Sequence, residues 1–338
     1  MIGYITRRLI LAAATLLAIL FASYGMLRLA PGDPSRSDLF GGGDAAGSAV
    51  DAEKGGFVRN TALREKLDLD KPILVGFARW LGRVVRHGDF GESASVDPGK
   101  PVTEMILERL PVTVSLNVWA VLITYLLAVP VGVWSGTHAG SRGDRIAAFL
   151  LFALYSLPVM WVGLMLQALL CEGGWRAVFP LHGLEVPEPD RFSIWRLQFE
   201  IVRHYTLPVL CLAYGGFASL SRYARAGMIE VINCDYIRTA RAKGVPEWEV
   251  VWNHGFRNAL ITLITLFGGL LPGLIAGSVI VEYIFNIPGM GSLSLLALSS
   301  RDYPLQMALF AFSGFLTLAG IMISDLLYVA ADPRIKLT

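Results

Sequence analysis

Apolar residues gather into six long runs separated by polar segments of very unequal length. The runs are Leu9–Leu29, Val112–Trp134, Ile146–Leu170, Thr206–Leu220, Ala259–Val281 and Leu305–Ala330. All but the fourth reach or nearly reach the roughly 20 residues a helix needs to cross the hydrocarbon of a bilayer. The fourth has to borrow from its flanks. The pattern therefore predicts an all-α chain with six transmembrane helices. Pro130, Pro158 and Pro272 fall inside runs and predict bends. The first run follows Arg7 and Arg8, is long for a signal peptide and lacks a small-x-small cleavage site before Pro31, so it reads as an uncleaved signal anchor.

The polar segments have patterns of their own. Residues 41–56 are glycine-rich and read as a flexible linker. From Thr61 to Arg86, Leu63, Leu67, Ile73, Leu74, Phe77, Leu81 and Val84 recur at helical spacing around Pro72, which predicts two short amphipathic helices on the outer membrane surface or packed on the spans. Arg142–Arg145 makes a tight turn. Between the fourth and fifth runs, over residues 222–258, Met228, Ile229, Ile232, Tyr236 and Ala240 recur three or four apart and give one apolar helical face. Arg238, Arg241 and Lys243 crowd the end of that helix, where positive charge suits the last carbonyls. Gly244 supplies a left-handed stop. Pro246, followed by Glu247 and Glu249, suits the first turn of a second helix. The segment thus predicts a helix, a glycine corner and a second helix. On pattern alone it is equally an interfacial hairpin joining two spans.

Composition agrees with lipid burial: 54% of the residues are hydrophobic and 17% charged, against nearer a quarter charged in soluble domains. A net charge of +2 offers nothing to a nucleic acid. Charge density sets the orientation. With the N-terminus inside, the short cytoplasmic pieces hold Arg7, Arg8, Arg142, Arg145, Arg222, Arg225, Arg238, Arg241, Lys243, Arg257, Arg334 and Lys336. Most external Lys and Arg sit in the long loop 31–110, which translocates largely regardless of charge. Both termini are expected in the cytoplasm.

Few residues suggest chemistry. Cys171, Cys211 and Cys234 form no metal-binding spacing and read as packing residues. Polar groups in or at the ends of spans are functional candidates by default: Asn117 and Gln167 for helix–helix hydrogen bonds or the pathway, Glu282 for a gate region, Asp325 for a helix-end contact. Arg28 is expected to snorkel to the interface. The Gly- and Ser-rich segment Asn286–Ser300, with Pro288, Gly289 and Gly291, is expected to form an external re-entrant turn or gate. Ser292 in Gly289–Ser292, with His204 elsewhere, invites an intramembrane serine protease reading, but no nucleophile-elbow motif supports it. No GxxxxGK[ST] phosphate loop occurs, so this chain is not expected to cradle ATP phosphates itself.

Seven short motifs in order carry a resemblance over nearly the whole chain. They are Ala30–Pro34, Gly88–Ser93, Glu108–Pro111, Asp235–Gly244 with His254 and Arg257–Asn258, Glu282–Phe285 with Pro288–Gly291, Arg301–Pro304, and Asp332–Arg334. Together they resemble the permeases of binding-protein-dependent ABC importers, in particular the first permease subunit of the dipeptide/oligopeptide/nickel branch. The general importer pattern has Glu-Ala-Ala where this chain has Arg238, Thr239 and Ala240, a variant that the peptide branch often shows. Any salt bridge made by that Glu is not carried over.

The resemblance implies a type I ABC importer permease fold. Residues 1–100 would form the signal anchor and external loop, 101–331 the five-helix core with its cytoplasmic loop 222–258, and 332–338 a cytoplasmic tail. It implies that Asp235, Tyr236, Arg238, Thr239, Ala240, Arg241, Ala242, Lys243 and Gly244 dock on an ATPase subunit. It implies two such ATPases, a second homologous permease subunit and an extracytoplasmic solute-binding protein as partners, with no cofactor or metal in this chain. The solute would be a di- or oligopeptide, with nickel or a glutathione-like compound as alternatives. An ion-coupled secondary transporter would instead call for inverted repeats and paired mid-membrane charges, which are not evident.

Overall fold

The computed structural model describes residues 2–29, 68, 70–171, 174–260, 263 and 278–331. Among them the chain is helical throughout, and β structure is limited to two isolated bridges, Glu92 with Pro101 and Cys171 with Phe179. Among the described residues, three helices are long and apolar enough to cross a bilayer: α1 (Ile2–Leu29), α3 (Val102–Thr137) and α11 (Tyr303–Ala331). A fourth candidate is the pair α4 (Arg142–Ser156) and α5 (Val159–Leu170), bent by 92°. The bend falls at Pro158, which lacks an N–H and drives the preceding residue out of the helical region; Leu157 is extended, at φ −82° and ψ 127°. The freed Leu157 carbonyl accepts from the Tyr214 hydroxyl at 2.8 Å. Pro130, by contrast, lies inside the continuous α3.

The short fourth run proves to be the middle of α6 (Ile194–Ile232), a 39-residue helix that borrows polar turns at both ends. The fifth run falls almost wholly outside the described residues, as do Pro272, the glycine-rich linker, the first amphipathic stretch, Ala30–Pro34, Asp332–Arg334 and the Asp325 side chain. Exposed apolar side chains crowd α3 (Trp119, Leu122, Leu126, Leu127) and α4 (Phe149, Leu150, Phe152). These are the surfaces a bilayer covers.

The chain divides into two compact units. The first, 1–109 with 293–318, has a core of Leu20, Tyr24, Trp80, Met307 and Ala311. The predicted amphipathic helix after Pro72 is α2 (Ile73–His87), which packs Phe77 and Trp80 into that core and ends at Gly88, with φ +64°. Arg28 does not simply snorkel. It donates to the carbonyls of Asp68 at 2.9 Å and Lys71 at 2.7 Å, so it ties the chain entering α2 to the end of α1. Two of the sequence motifs meet here: Asp302, fully buried, accepts from Ser93 Oγ at 2.5 Å and from the N–H groups of Ala94, Ser95 and Val96 at 3.0–3.1 Å.

The second unit, 110–292 with 319–338, is held by close helix contacts. Gly132 and Gly136 on α3 let the backbone of α6 approach. A Cβ on Gly132 would lie 2.5 Å from Ser221 O, and one on Gly136 2.6 Å from Met228 Cβ. Small residues four apart are the usual device for tight helix pairs in a bilayer. Gly136→Val is therefore expected to cost about 1–3 kcal/mol, the range for overpacking. A melting temperature in detergent equal to the wild type would refute the contact.

Candidate functional site

Two groups of predicted residues lie in the second unit. The first is the polar loop after α6. One helix was expected through Met228 to Lys243, but the structure breaks it at Asn233 and Cys234. Met228, Ile229 and Ile232 end α6, and a separate helix α7 (Asp235–Ala242) follows. Cys234, extended at ψ 151°, is its N-cap residue. The apolar face of α7 is Ile237 and Ala240, both buried with Val250 against Val231, Ile232 and Val245. Tyr236, assigned to that face by periodicity, is exposed instead, and its hydroxyl accepts from Asn258 Nδ2 at 2.9 Å.

Chain geometry accounts for the corner. Gly244 has φ +75°, a conformation in which any Cβ carries strain. Its N–H bonds to Arg241 O at 3.0 Å, and the Val245 N–H to Ala240 O at 3.3 Å. That pair of bonds is the Schellman closure, completed by apolar contact of Val245 with Ala240. Pro246 sits one position earlier than expected, as the N-cap of α8 (Glu247–Glu249), which runs on as a π-helix over Val250–Phe256. Across the corner the Arg241 guanidinium forks onto Glu247 at 2.7 and 3.1 Å, which holds the Glu247 carboxyl below the usual carboxylate range.

Asp235, Arg238, Thr239, Ala242, Lys243, Trp248 and Glu249 also face outward. Trp248 is 70% exposed, its ring tilted by 45° against Trp252 at a centroid distance of 5.3 Å. Sequence reasoning passed over it, although an aromatic flanked by two glutamates just past a glycine corner is out of place in a merely solvated loop. The closed corner thus leaves cationic side chains and an indole at the surface.

The second group surrounds Glu282 on α9 (Val279–Ile284). The segment expected as a re-entrant turn is a tight turn through Asn286 (φ +49°) into a further helix, α10 (Met290–Ser299). Glu282 is 2% exposed. Its carboxylate accepts from Thr113 Oγ1 at 3.0 Å, from the Ser292 N–H at 2.8 Å and from the Gly291 N–H. It thus caps the first turn of α10, where N–H groups lack helical partners. Thr113 in turn accepts from the Met290 N–H at 2.7 Å. Burial pushes the Glu282 carboxyl up from its ordinary range, and those donors hold it back.

Of the residues expected at a gate, Glu282, Gly289 and Gly291 come together here, with Pro288 in the same turn. Gln167 lies at the far end of α9 and donates to Ile284 O at 2.8 Å. Asn117 is one helical turn from Thr113 and donates back to its own helix, at Thr113 O. Thr113 and Ser292, both central to the cluster, were not singled out for it. Ser292 Oγ donates to Gly289 O at 2.9 Å and His204 Nδ1–H to Gly183 O at 3.0 Å, so neither is set up for hydrolysis.

Comparison with known proteins bears on both groups. Residues 128–337 match the family described as binding-protein-dependent transport system inner membrane component, and residues 1–117 match the N-terminal part of such components. The chain is 39% identical to the oligopeptide transport system permease protein AppB of Bacillus subtilis (strain 168), over 99% of this chain and 100% of the relative. It is 32% identical to the peptidoglycan transport system permease protein YejB of Agrobacterium fabrum (strain C58 / ATCC 33970), over 98% of each.

Proposed function

The chain belongs to the family of inner membrane components of binding-protein-dependent transport systems, and from that premise we propose that it is a peptide-translocating permease subunit driven by ATP hydrolysed elsewhere in its complex. It is a multi-pass membrane protein of a transport family, not of an enzyme family. The observation that carries the proposal is the Schellman-closed segment Asp235–Gly244, outward-facing and set directly after the 39-residue helix α6. A short rigid helix fixed to a long one can turn movement of a docked ATPase into tilt of the span. Its exposed Tyr236, Arg238 and Lys243, with Trp248 beside them, form the docking face. Arg241 is spent on Glu247 and braces the corner.

The full assembly is read as two ATPase subunits, this chain, a second homologous permease and an extracytoplasmic binding protein. This chain would have six spans, both termini cytoplasmic, and no cofactor of its own. The external loop and signal anchor (1–100) precede the permease core (101–331). A di- or oligopeptide is the solute that the named relatives support; nickel or a glutathione-like compound would use the same machinery. The Glu282 turn, with Pro288, Gly289 and Gly291, is the candidate gate.

Substitutions at two positions test the docking role in proteoliposomes that hold the complete complex. Trp248→Ala is expected to lower ATPase co-purification and peptide uptake together, since exposed aromatics at interface centres often contribute about 2 kcal/mol or more. Gly244→Val meets no atom within 4 Å, so it acts through backbone strain alone, about 1–2 kcal/mol. Uptake is expected to fall about tenfold with normal membrane insertion, and Gly244→Asn, which tolerates positive φ, is expected to retain most of it. Full uptake by Gly244→Val, or ion-driven uptake without ATP, would overturn the reading.

A further inference from the structure

Gln167 and His204 are polar side chains on two helices of the second unit, and both bond to the same irregular segment. This is the strap Phe179–Leu184, in the connection between α5 and α6. Its root is fixed. The Val178 and Phe179 N–H groups both donate to Leu170 O, at 2.8 and 2.9 Å, and the Arg203 guanidinium donates to Val178 O at 3.0 Å. Beyond the root, Phe179, Leu181 and Leu184 pack on the buried cluster that contains Ile284, Phe285 and Ile287. From Pro180 to Pro187, among the described residues, the strap makes one backbone–backbone hydrogen bond, from the Gly183 N–H to Phe285 O at 2.9 Å.

Where that bond lands gives it a role. α9 is six residues long, and the last carbonyls of a helix have no helical N–H to meet. Phe285 O takes the Gly183 N–H of the strap, and Ile284 O takes Gln167 Nε2 at 2.8 Å. Gln167 also reaches Leu181 O of the strap, at 3.4 Å. The Gly183 carbonyl in turn accepts from His204 Nδ1–H at 3.0 Å, and His204 is 7% exposed. The strap thus clasps the end of α9, while Thr113 and the Ser292 N–H hold Glu282 within it.

An irregular segment with few bonds of its own opens at lower cost than a helix. The helix that holds it also leads to the docking face: α6 carries His204 toward one end and runs into α7 from the other, about 42 Å along at 1.5 Å per residue. A tilt of α6 that starts at α7 therefore acts on the grip of His204. We infer that Phe179–Leu184 is a latch, which keeps the Glu282 turn closed by clasping the end of α9 and lets go when α6 tilts. On the proposed reading of that turn as the gate, the strap is the element that must release before it opens.

The test locks the strap to the turn in proteoliposomes that hold the complete complex. His182 and Asn286 are exposed and flank the Gly183–Phe285 bond. His182→Cys with Asn286→Cys, in a chain with Cys234→Ser, is joined by a short bis-methanethiosulfonate that a reductant cleaves. Cys171 and Cys211 are buried and stay. Uptake of a mixture of tri- to pentapeptides is expected to fall at least tenfold on joining and to recover on reduction. Each single variant, given the same reagent, is expected to keep most of its uptake. Asn286 has φ +49°, so if Asn286→Cys alone impairs uptake, Tyr283→Cys on the exposed side of α9 takes its place. A strap that never moves would allow equal uptake joined or free, and that result overturns the inference. Gly289→Ala then tells which part failed. Lowered uptake leaves the gate reading standing without a latch, and normal uptake removes both.

Discussion

Arg225→Ala is expected to destabilise the folded chain by on the order of 3 kcal/mol, the low end for breaking a buried ion pair. Asp144, at the start of α4, is 2% exposed. Its two oxygens take the Arg225 guanidinium in a fork at 2.7 and 2.8 Å, and they also accept from the Ser135 hydroxyl and, at 2.8 Å, from the Gly140 N–H. Without Arg225 the carboxylate stays buried and keeps only those two neutral donors. Arg225 is itself 34% exposed, which is why the low end applies. A melt in detergent checks the loss, and Arg225→Lys should restore only part of it, because an ammonium cannot fork. Adding Asp144→Asn to Arg225→Ala is expected to recover stability by removing the stranded charge. Independent, additive losses would count against the pairing.

The pH dependence follows from the same geometry. Arg225 holds the Asp144 carboxyl well below the usual carboxylate range. The pair's contribution is therefore complete above that range and lost only as pH falls through the depressed value. Arg225→Ala lets the carboxyl titrate higher, so its deficit against the wild type should narrow on acidification. On the proposed docking role of α7 the consequence reaches function, because Arg225 lies two turns before the end of α6, directly ahead of α7. A loosened α6 would transmit less of any movement that α7 receives.

Some of this was legible in the sequence and some was not, for a physical reason. Gly244, Pro158 and the helix of α2 act through neighbours in the chain, so spacing and residue type predicted them. The break at Asn233 and Cys234 escaped because the apolar spacing of Met228, Ile232, Tyr236 and Ala240 runs through it unbroken. It is tertiary packing of Ile237 and Ala240 on Val250 that rotates α7 out of that register. Ser93 with Asp302 and Thr113 with Glu282 are pairings across 209 and 169 positions. A sequence carries the residue types of such pairs but not their proximity. Glu282 could be named as a candidate, whereas Thr113, one of many hydroxyls on an apolar helix, could not. The candidate gate was thus half visible, as a carboxylate and two glycines without the hydroxyl that joins them.

That joint makes Gly289→Ala the other substitution of large expected effect. Gly289 is not in the left-handed region, so alanine meets no backbone objection. Its Cβ would instead lie 2.5 Å from the Glu282 carboxyl carbon and 2.6 Å from Thr113 Oγ1. Both are buried and hydrogen-bonded, so the cluster must come apart. Overpacking of about 1–3 kcal/mol plus the lost bonds predicts peptide uptake at least tenfold below the wild type.

The clash also predicts its own relief. Glu282→Ala alone leaves the Thr113 hydroxyl and the Ser292 N–H without an acceptor and should impair uptake. In that background, however, Gly289→Ala should add less than it costs alone, because the Glu282 carboxyl it strikes is gone and only Thr113 Oγ1 remains in its way. Full additivity would mean that Gly289 matters for some other reason. Glu282→Gln separates charge from shape, since its amide accepts on one side only and offers N–H groups where the carboxylate accepted. Burial raises the Glu282 carboxyl above the ordinary range, so the protonated cluster is the more stable one at low pH, and that contribution is lost as pH rises through the raised value. Wild type and Glu282→Gln should therefore converge as pH falls and diverge toward neutrality. Parallel uptake profiles across that interval would show that Glu282 shapes the turn without its charge having any part in it.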